Sequence, residues 1–162
     1  MRICEKYNIL RGAYHFVTEA DPYKQAINFV STIRPYGDTL IALDFETSGG
    51  YMVVSQNTID KYLIPLAKYV KEMTGVPPLI YASQSVFNCY DLSELRKLDC
   101  GAWVAKWDNI TDPVKVNNWV NVAIKQYSSV GSIDELKGNT DLNVAFMTES
   151  AWRKYANPNL YK

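Results

Sequence analysis

Apolar residues recur along the chain with two alternating spacings, and this predicts strands separated by helices. Short runs rich in aromatic and β-branched residues predict strands at Gly12–Val17, Thr39–Phe45, Pro78–Ala82, Ala102–Lys106, Asn121–Tyr127 and Asp141–Phe146. Apolar positions three and four residues apart predict helices between the first of these strands. Strands that alternate with helices indicate βαβ units and a mainly parallel sheet.

Local signals mark the ends of the predicted helices. Asp21 followed by Pro22 is an N-cap with proline at the first helical position. In the next helical pattern Pro65 predicts a kink or a split, and Gly75 predicts the end of the helix. A terminal helix from about Thr148 is expected to pack on the outside of the sheet.

The end of the chain follows a different pattern. Residues Ser128 to Thr140 are rich in glycine and serine and have no helical spacing, so they predict a hairpin loop. The final strand therefore runs antiparallel to the strand before it.

Length and composition indicate one globular domain over residues 1–162. With 17 basic and 17 acidic residues, the chain has no basic excess, so we expect neither a nucleic-acid nor a membrane partner. One histidine and three cysteines without paired spacing make a zinc site unexpected. We expect no cofactor, and we interpret Cys4, Cys89 and Cys100 as reduced, buried thiols.

Two carboxylates stand at the end of the most apolar predicted strand. Asp44 and Glu46 are two residues apart, so their side chains point to the same face. The carboxyl end of a parallel strand is where α/β folds place their sites. Like charges held close in a partly dry cleft raise one pKa, so that one group can act as an acid while the other stays ionised. The alternative is that both are solvated residues at a strand end.

A third carboxylate is expected at the same edge. If the last connection is a hairpin, the start of the last strand brings Asp141 to the end of the sheet that holds Asp44 and Glu46. Taken alone, Asp141 could be an ordinary turn residue. Three acids without a histidine or cysteine cluster suit glycoside hydrolysis better than metal or acyl-transfer chemistry.

Six short motifs occur in the order and spacing of a known family. They are Gly12-Ala13-Tyr14-His15-Phe16, Leu43-Asp44-Phe45-Glu46, Leu79-Ile80-Tyr81, Trp103-Val104-Ala105, Gln126-Tyr127-Ser128 and Asp141-Leu142-Asn143. Together they resemble glycoside hydrolase family 25, the Chalaropsis-type lysozymes found among phage endolysins and bacterial autolysins. The resemblance extends from Gly12 to Phe146.

The resemblance implies an α/β fold, a TIM-like (β/α) barrel, and a muramidase that hydrolyses the β-1,4 bond between N-acetylmuramic acid and N-acetylglucosamine in peptidoglycan. By the same resemblance Glu46 is the general acid. Asp44 orients the substrate acetamido group or stabilises positive charge at the anomeric carbon, and Asp141 supports the pocket. The mechanism stays open between retaining, inverting and acetamido-assisted hydrolysis. The substrate-binding candidates are Tyr14, Tyr81, Trp103 and Gln126.

The chain also departs from the family pattern. Family members begin with a further strand carrying an active-site aspartate, whereas Met1 to Arg11 resembles the end of the helix that leads into the Gly12 strand. We therefore expect an amino-terminally incomplete barrel with two open edges, which another copy of the chain could cover, and weak or absent activity. Lys125 stands before Gln126, where the family often has tryptophan, and this puts one sugar-stacking surface in doubt.

A different class of function also fits the sequence. A non-catalytic wall-binding protein, or an inactive barrel fragment, would keep the cleft without turnover. In either case the start of the chain lacks the apolar core of a secretory signal. We expect synthesis in the cytoplasm and action on the bacterial cell wall.

Overall fold

A computed structural model gives the fold; it describes residues 2–50, 52–117, 119–120, 122–134 and 137–156, without the side chains of Arg2 and Glu5. The strands in this part of the chain are β1 (Gly12–Phe16), β2 (Leu40–Asp44), β3 (Leu79–Ser83), β4 (Gly101–Ala105), β5 (Val122–Gly131) and β6 (Thr140–Ala145). The α-helices are α1 (Arg2–Lys6), α2 (Pro22–Ile33), α3 (Gln56–Thr58), α4 (Ile64–Thr74), α5 (Gln84–Cys89), α6 (Ser93–Lys97) and α7 (Glu149–Tyr155). A 3-10 turn (Arg34–Tyr36) follows α2, and a π-helical segment (Ile59–Leu63) joins α3 to α4.

The described strands form one sheet in the order β1-β2-β3-β4-β5-β6. Neighbouring strands from β1 to β5 are parallel, and β6 is antiparallel to β5. The sheet curls into half of a barrel with β1 and β6 at its two edges. The predicted parallel sheet, its antiparallel last strand and the incomplete barrel are therefore confirmed.

One face of the sheet carries the main core. Ile41 and Leu43 of β2 lie in one buried cluster with Ile80 of β3, Phe29 of α2 and Leu66 of α4. Leu40 and Ala42 of β2 are buried as well, which is the pattern of a strand covered on both faces. Helices α2 and α4 thus cover one face of the sheet, and the opposite face of β2 must be covered by another element.

The other side is covered in part by the last helix. Leu40 and Ala42 form a second cluster against which Trp152 and Tyr155 of α7 pack. The prediction that the terminal helix packs outside the sheet is therefore wrong. Trp152 and Tyr155 are three residues apart and so lie on one side of the helix, and this side removes the apolar inner face of the half-barrel from water.

The predicted helix signals act as expected. The Asp21 side chain accepts a hydrogen bond from the Lys24 amide at 2.9 Å, and Pro22 opens α2. Pro65 lies in the first turn of α4, directly after the π-helical segment, so the long apolar pattern is divided there rather than kinked in mid-helix. Gly75 ends α4 in the left-handed conformation at φ 74°, where a side chain would be strained.

The bounds of some elements differ from the predicted ones. Helix α5 was not predicted, because its six residues follow β3 without a break. Strand β5 continues to Gly131, so the hairpin loop is shorter than the sequence indicated. The predicted start of this strand, Asn121, lies outside the described residues.

The three cysteines differ in exposure. Cys100 is buried, Cys4 is partly buried and Cys89 is exposed, so the prediction of buried thiols is correct only for Cys100. Burial raises the pKa of the Cys100 thiol to about 12, which keeps it protonated and unreactive. In the described part of the chain, no helix is long and apolar enough to cross a membrane.

The core assignment of β3 can be tested with two isoleucines of different exposure. Ile80 is 0% exposed in β3, and Ile27 is 45% exposed on α2. Replacing Ile80 by alanine should lower the free energy of unfolding by about 2–5 kcal/mol, since it leaves a cavity. Replacing Ile27 by alanine should change it by less than about 1 kcal/mol. Urea denaturation measures both, and equal midpoints for the two variants would show that β3 is not in the core.

Candidate active site

Two carboxylates leave the end of β2 toward the same side of the sheet. Asp44 is the last residue of β2 and is paired with Phe16 of β1 and Tyr81 of β3. The ladder continues one residue further, because the Phe45 amide donates to the Tyr81 carbonyl at 2.9 Å. The Phe45 side chain is fully buried in the helix-covered core. Asp44 and Glu46, on either side of it, therefore face the inner side of the half-barrel.

The Asp44 carboxyl is the most strongly perturbed group at this end of the sheet. Burial raises its pKa from the ordinary 3.8 to about 7, and the charges of Glu46 and Asp141 act in the same direction. Among the described residues, its Oδ1 atom is buried and has no hydrogen-bond partner. Burying a carboxylate oxygen without a hydrogen-bond donor is unfavourable. The neutral, protonated form of Asp44 is therefore favoured over the carboxylate.

The third predicted carboxylate lies at the same edge. Asp141 is exposed near the start of β6, and β6 runs antiparallel to β5, so its start lies beside the carboxyl ends of the parallel strands. Its charge contributes to the raised pKa values of both Asp44 and Tyr81. The structure thus brings Asp44, Glu46 and Asp141 together at one mouth.

Tyr81, Gln126 and Trp107 form a hydrogen-bonded group beside the carboxylates. The Tyr81 hydroxyl donates to Gln126 Oε1 at 2.8 Å, and the Trp107 indole N–H donates to the same oxygen at 2.6 Å. Burial raises the pKa of Tyr81, with further contributions from Glu46 and Asp44, so its hydroxyl remains a donor. Because both partners donate, the Gln126 amide oxygen is fixed in one orientation, and its Nε2 group is left for another acceptor.

Trp103 and Tyr14 line the inside of the half-barrel rather than its rim. They border a cavity of 350 Å³ that α7 partly closes with Trp152. Trp103 stands edge-on to Tyr81 with ring centroids 5.3 Å apart, and its indole N–H donates to Asn143 Oδ1 at 2.9 Å. Trp103 therefore joins the cavity to the rim.

Sequence reasoning did not select two residues that the structure places in this group. Trp107 is 63% exposed and touches Gln126, and Asn143 bonds Trp103. A signal for Trp107 was available, because Trp103, Ala105 and Trp107 are spaced by two along and just beyond β4. Asn143 is two residues from Asp141 in β6 and shares its face for the same reason.

Lys125 lies on the face of β5 that is turned away from the cleft. Lys125 follows Ile124, which lies in the inner cluster, and precedes Gln126 at the rim. Its side chain therefore points to the opposite face of β5. It is buried there with 2% exposure, 2.8 Å from Asp108. Position 125 does not face the cleft, so lysine at this position removes no sugar-stacking surface.

The chemistry of this group is that of carboxyls and aromatic rings. A protonated carboxyl, two further acids and hydrogen-bond donors surround one opening, which suits proton transfer to and charge stabilisation of a sugar. Among the described residues, no group of three or more histidine, cysteine, aspartate or glutamate side chains could hold a metal ion.

Comparisons with known proteins agree with this fold. The model of glycosyl hydrolases family 25 matches residues 2–136, whereas comparison with curated proteins finds no match. A family 25 glycosyl hydrolase from Bacillus anthracis has a TM-score of 0.71 at 20% identity, over 93% of this chain and 71% of that one. A bacterial lysozyme from Streptomyces coelicolor has a TM-score of 0.68 at 20% identity, over 96% and 79%.

A further solved structure carries a ligand. The modular autolysin LytC from Streptococcus pneumoniae, in complex with a synthetic peptidoglycan ligand, has a TM-score of 0.69 at 16% identity, over 88% of this chain and 35% of that one. At such identities these structures show the fold, and the half-barrel sheet with its antiparallel last strand is part of it. The family model covers most of the chain. The predicted family is thus confirmed, and the chain belongs to glycosyl hydrolases family 25.

Proposed function

We propose that this chain is a peptidoglycan muramidase that hydrolyses the β-1,4 bond between N-acetylmuramic acid and N-acetylglucosamine. The observation that carries the proposal is the cluster of Asp44, Glu46 and Asp141 at one mouth, where burial and the two neighbouring carboxylates raise the pKa of Asp44 to about 7. Glycoside hydrolysis needs a proton donor beside an ionised carboxylate at such a mouth. Membership of family 25, and the peptidoglycan ligand of the similar autolysin, support this substrate class.

Glu46 is the proposed general acid. It lies beyond the end of β2 and is exposed at the mouth, so it can approach a leaving-group oxygen of a glycan that crosses this end of the sheet. Acting as the acid, Glu46 gives a proton to that oxygen as the glycosidic bond breaks and positive charge develops on the sugar. A water then adds to the anomeric carbon, and a carboxylate of the mouth takes up the proton that this water loses. In this assignment Glu46 touches the leaving group and Asp44 touches the sugar that remains.

Asp44 is the proposed partner of the substrate acetamido group. In its protonated form it can donate a hydrogen bond to the acetamido oxygen and so orient the sugar. Positive charge that develops near the anomeric carbon favours the ionised form of a carboxyl. When its proton passes to solvent water, the Asp44 carboxylate is positioned to stabilise that positive charge in the transition state.

The aromatic residues supply the proposed sugar-binding surface. Trp107 and Tyr81 meet at Gln126 on the rim, and Trp103 and Tyr14 continue inward. Flat rings of this kind provide large apolar contact areas at low entropic cost.

The role of Glu46 can be tested on bacterial walls. Glu46→Gln should reduce the rate of turbidity loss of a wall suspension by at least about 100-fold, because the leaving group loses its proton donor. Glu72→Gln, on the exposed surface of α4, should leave the rate unchanged. If the unmodified chain binds wall fragments but releases no product in an overnight digest, the chain is a wall-binding module and not a muramidase.

The two carboxylates can be told apart by the leaving group. An aryl β-glycoside needs little proton assistance, so Glu46→Gln should lose less activity on this substrate than on the natural glycan, by about tenfold or more. Asp44→Asn should lose a similar factor on both substrates, because its role is on the other side of the bond. Equal losses for Glu46→Gln on both substrates would remove Glu46 from the acid role.

The raised pKa of Asp44 predicts how stability depends on pH. The folded group titrates near 7 and the unfolded group near 3.8, so between these values the folded state holds the extra proton. Stability contributed by Asp44 is therefore complete below about pH 4 and is lost as pH rises toward about pH 7. Asp44→Asn should remove this loss, so that its stability relative to the parent chain increases from about pH 5 to about pH 8.

Urea denaturation at several pH values measures this difference. Asp112→Asn, at an exposed position, serves as the matched control and should follow the parent chain. Parallel pH curves for the parent chain and Asp44→Asn would show that Asp44 is ionised throughout and does not hold the proton.

A further inference from the structure

The segment after β4, residues 106–110, is held against β5 along its length, and we refer to it as the Trp107 loop. The Lys106 amide donates to the Gln126 carbonyl at 3.0 Å, and the Asn109 amide donates to the Tyr127 carbonyl at 3.0 Å. The loop thus adds to the carboxyl end of the sheet beside the candidate active site.

Two adjacent side chains of this loop grip opposite faces of β5. Trp107 bonds Gln126 on the cleft face at 2.6 Å, and Asp108 bonds Lys125 on the far face at 2.8 Å. Lys125 and Gln126 are consecutive on the strand, so their side chains project in opposite directions. The Trp107 loop therefore contacts β5 on both faces. A movement of Asp108 on the far face is coupled to a movement of Trp107 on the cleft face.

Lys125 is the buried residue among these contacts between the Trp107 loop and β5. Its side chain is 2% exposed, and its ammonium donates to Asp108 Oδ1 at 2.8 Å and to the Ile110 carbonyl at 2.7 Å. An ammonium group removed from water is stable only with partners of this kind. Because the loss of either partner is unfavourable, the Lys125 ammonium holds the Trp107 loop at two points, Asp108 and the Ile110 carbonyl. Lys106 also contacts Asp108, on Oδ2 at 2.9 Å, with its own side chain 42% exposed, so Asp108 is shared between two lysines.

We propose that Lys125 is a positioning residue that, through Asp108 and the Ile110 carbonyl, holds the Trp107 indole in place as a stacking wall for the glycan. Trp107 has one edge fixed on Gln126 while 63% of its surface is exposed, so it presents a ring face at the mouth. Lys125 itself touches no substrate. This inference rests on the proposed glycan-binding function of the mouth.

Binding measurements can separate positioning from simple stability. The probe is the N-acetylglucosamine tetramer, titrated by calorimetry into the Glu46→Gln background to prevent turnover. Trp107→Ala should weaken binding about tenfold, the value of one aromatic contact. Lys125→Met should weaken it by about fivefold or more, and the control Lys24→Met, at an exposed position of α2, by less than about twofold. In the double variant, removing Lys125 should add nothing to the loss caused by Trp107→Ala.

A second measurement reports on the loop without any ligand. With fluorine-labelled tryptophan, the ¹⁹F resonance of Trp107, assigned by its absence in Trp107→Ala, should shift or broaden in Lys125→Met and stay in place in Lys24→Met. If Lys125→Met does not fold, the paired variant Lys125→Met with Asp108→Asn removes the same contact without leaving either charge unpaired, and it should give the same spectrum.

The outcomes separate the two claims. An unchanged Trp107 resonance in Lys125→Met, or losses that multiply in the double variant, would overturn the positioning role. If the tetramer binds none of the proteins and walls are not cleaved, the proposed function fails, while the fluorine spectrum still decides whether Lys125 holds Trp107.

Discussion

The burial of the Asp44 carboxyl at the end of an apolar strand is the constraint on which the rest of the structure depends. Leu40 to Leu43 are buried on both faces of β2, so the chain must supply cover on both sides. Helices α2 and α4 supply it on one side and α7 on the other. Asp44 is the first position at which this cover ends. It is buried enough to keep its proton and open enough to meet a substrate.

The neighbours of Asp44 follow from the same arrangement. Tyr81 lies beside Asp44 in the next strand, and its hydroxyl reaches across to Gln126. Because β6 is antiparallel to β5, the start of β6 lies at the mouth and brings Asp141 there. A further parallel strand would instead place its carboxyl end at the mouth. Asp44, Tyr81 and Gln126 are each paired within the sheet, so the sheet register sets the spacing of their backbones.

Much of this arrangement could be predicted from the sequence, because it depends on local signals. The spacing of two between Asp44 and Glu46, the proline after Asp21 and the hairpin before Asp141 each have a short-range physical meaning. The inner position of α7 and the pairing of Lys125 with Asp108 do not, since each joins segments that are distant in sequence. From the sequence alone, a lysine within a strand is interpreted as an exposed residue. Its burial is understood only when its partner Asp108, 17 residues away, is known.

The inner position of α7 also has a consequence for the order in which the chain folds. Trp152 and Tyr155 pack on residues of β2 and β3, and Arg153 reaches Asn8, 145 residues earlier in the chain. Contacts of such sequence separation form late, because long loops must close first. During synthesis the sheet can pair strand by strand, yet Leu40 and Ala42 stay uncovered until residues 149–156 have left the ribosome. The nascent half-barrel therefore passes through a stage in which its inner apolar face is exposed to water. Chaperone binding would be concentrated at that stage.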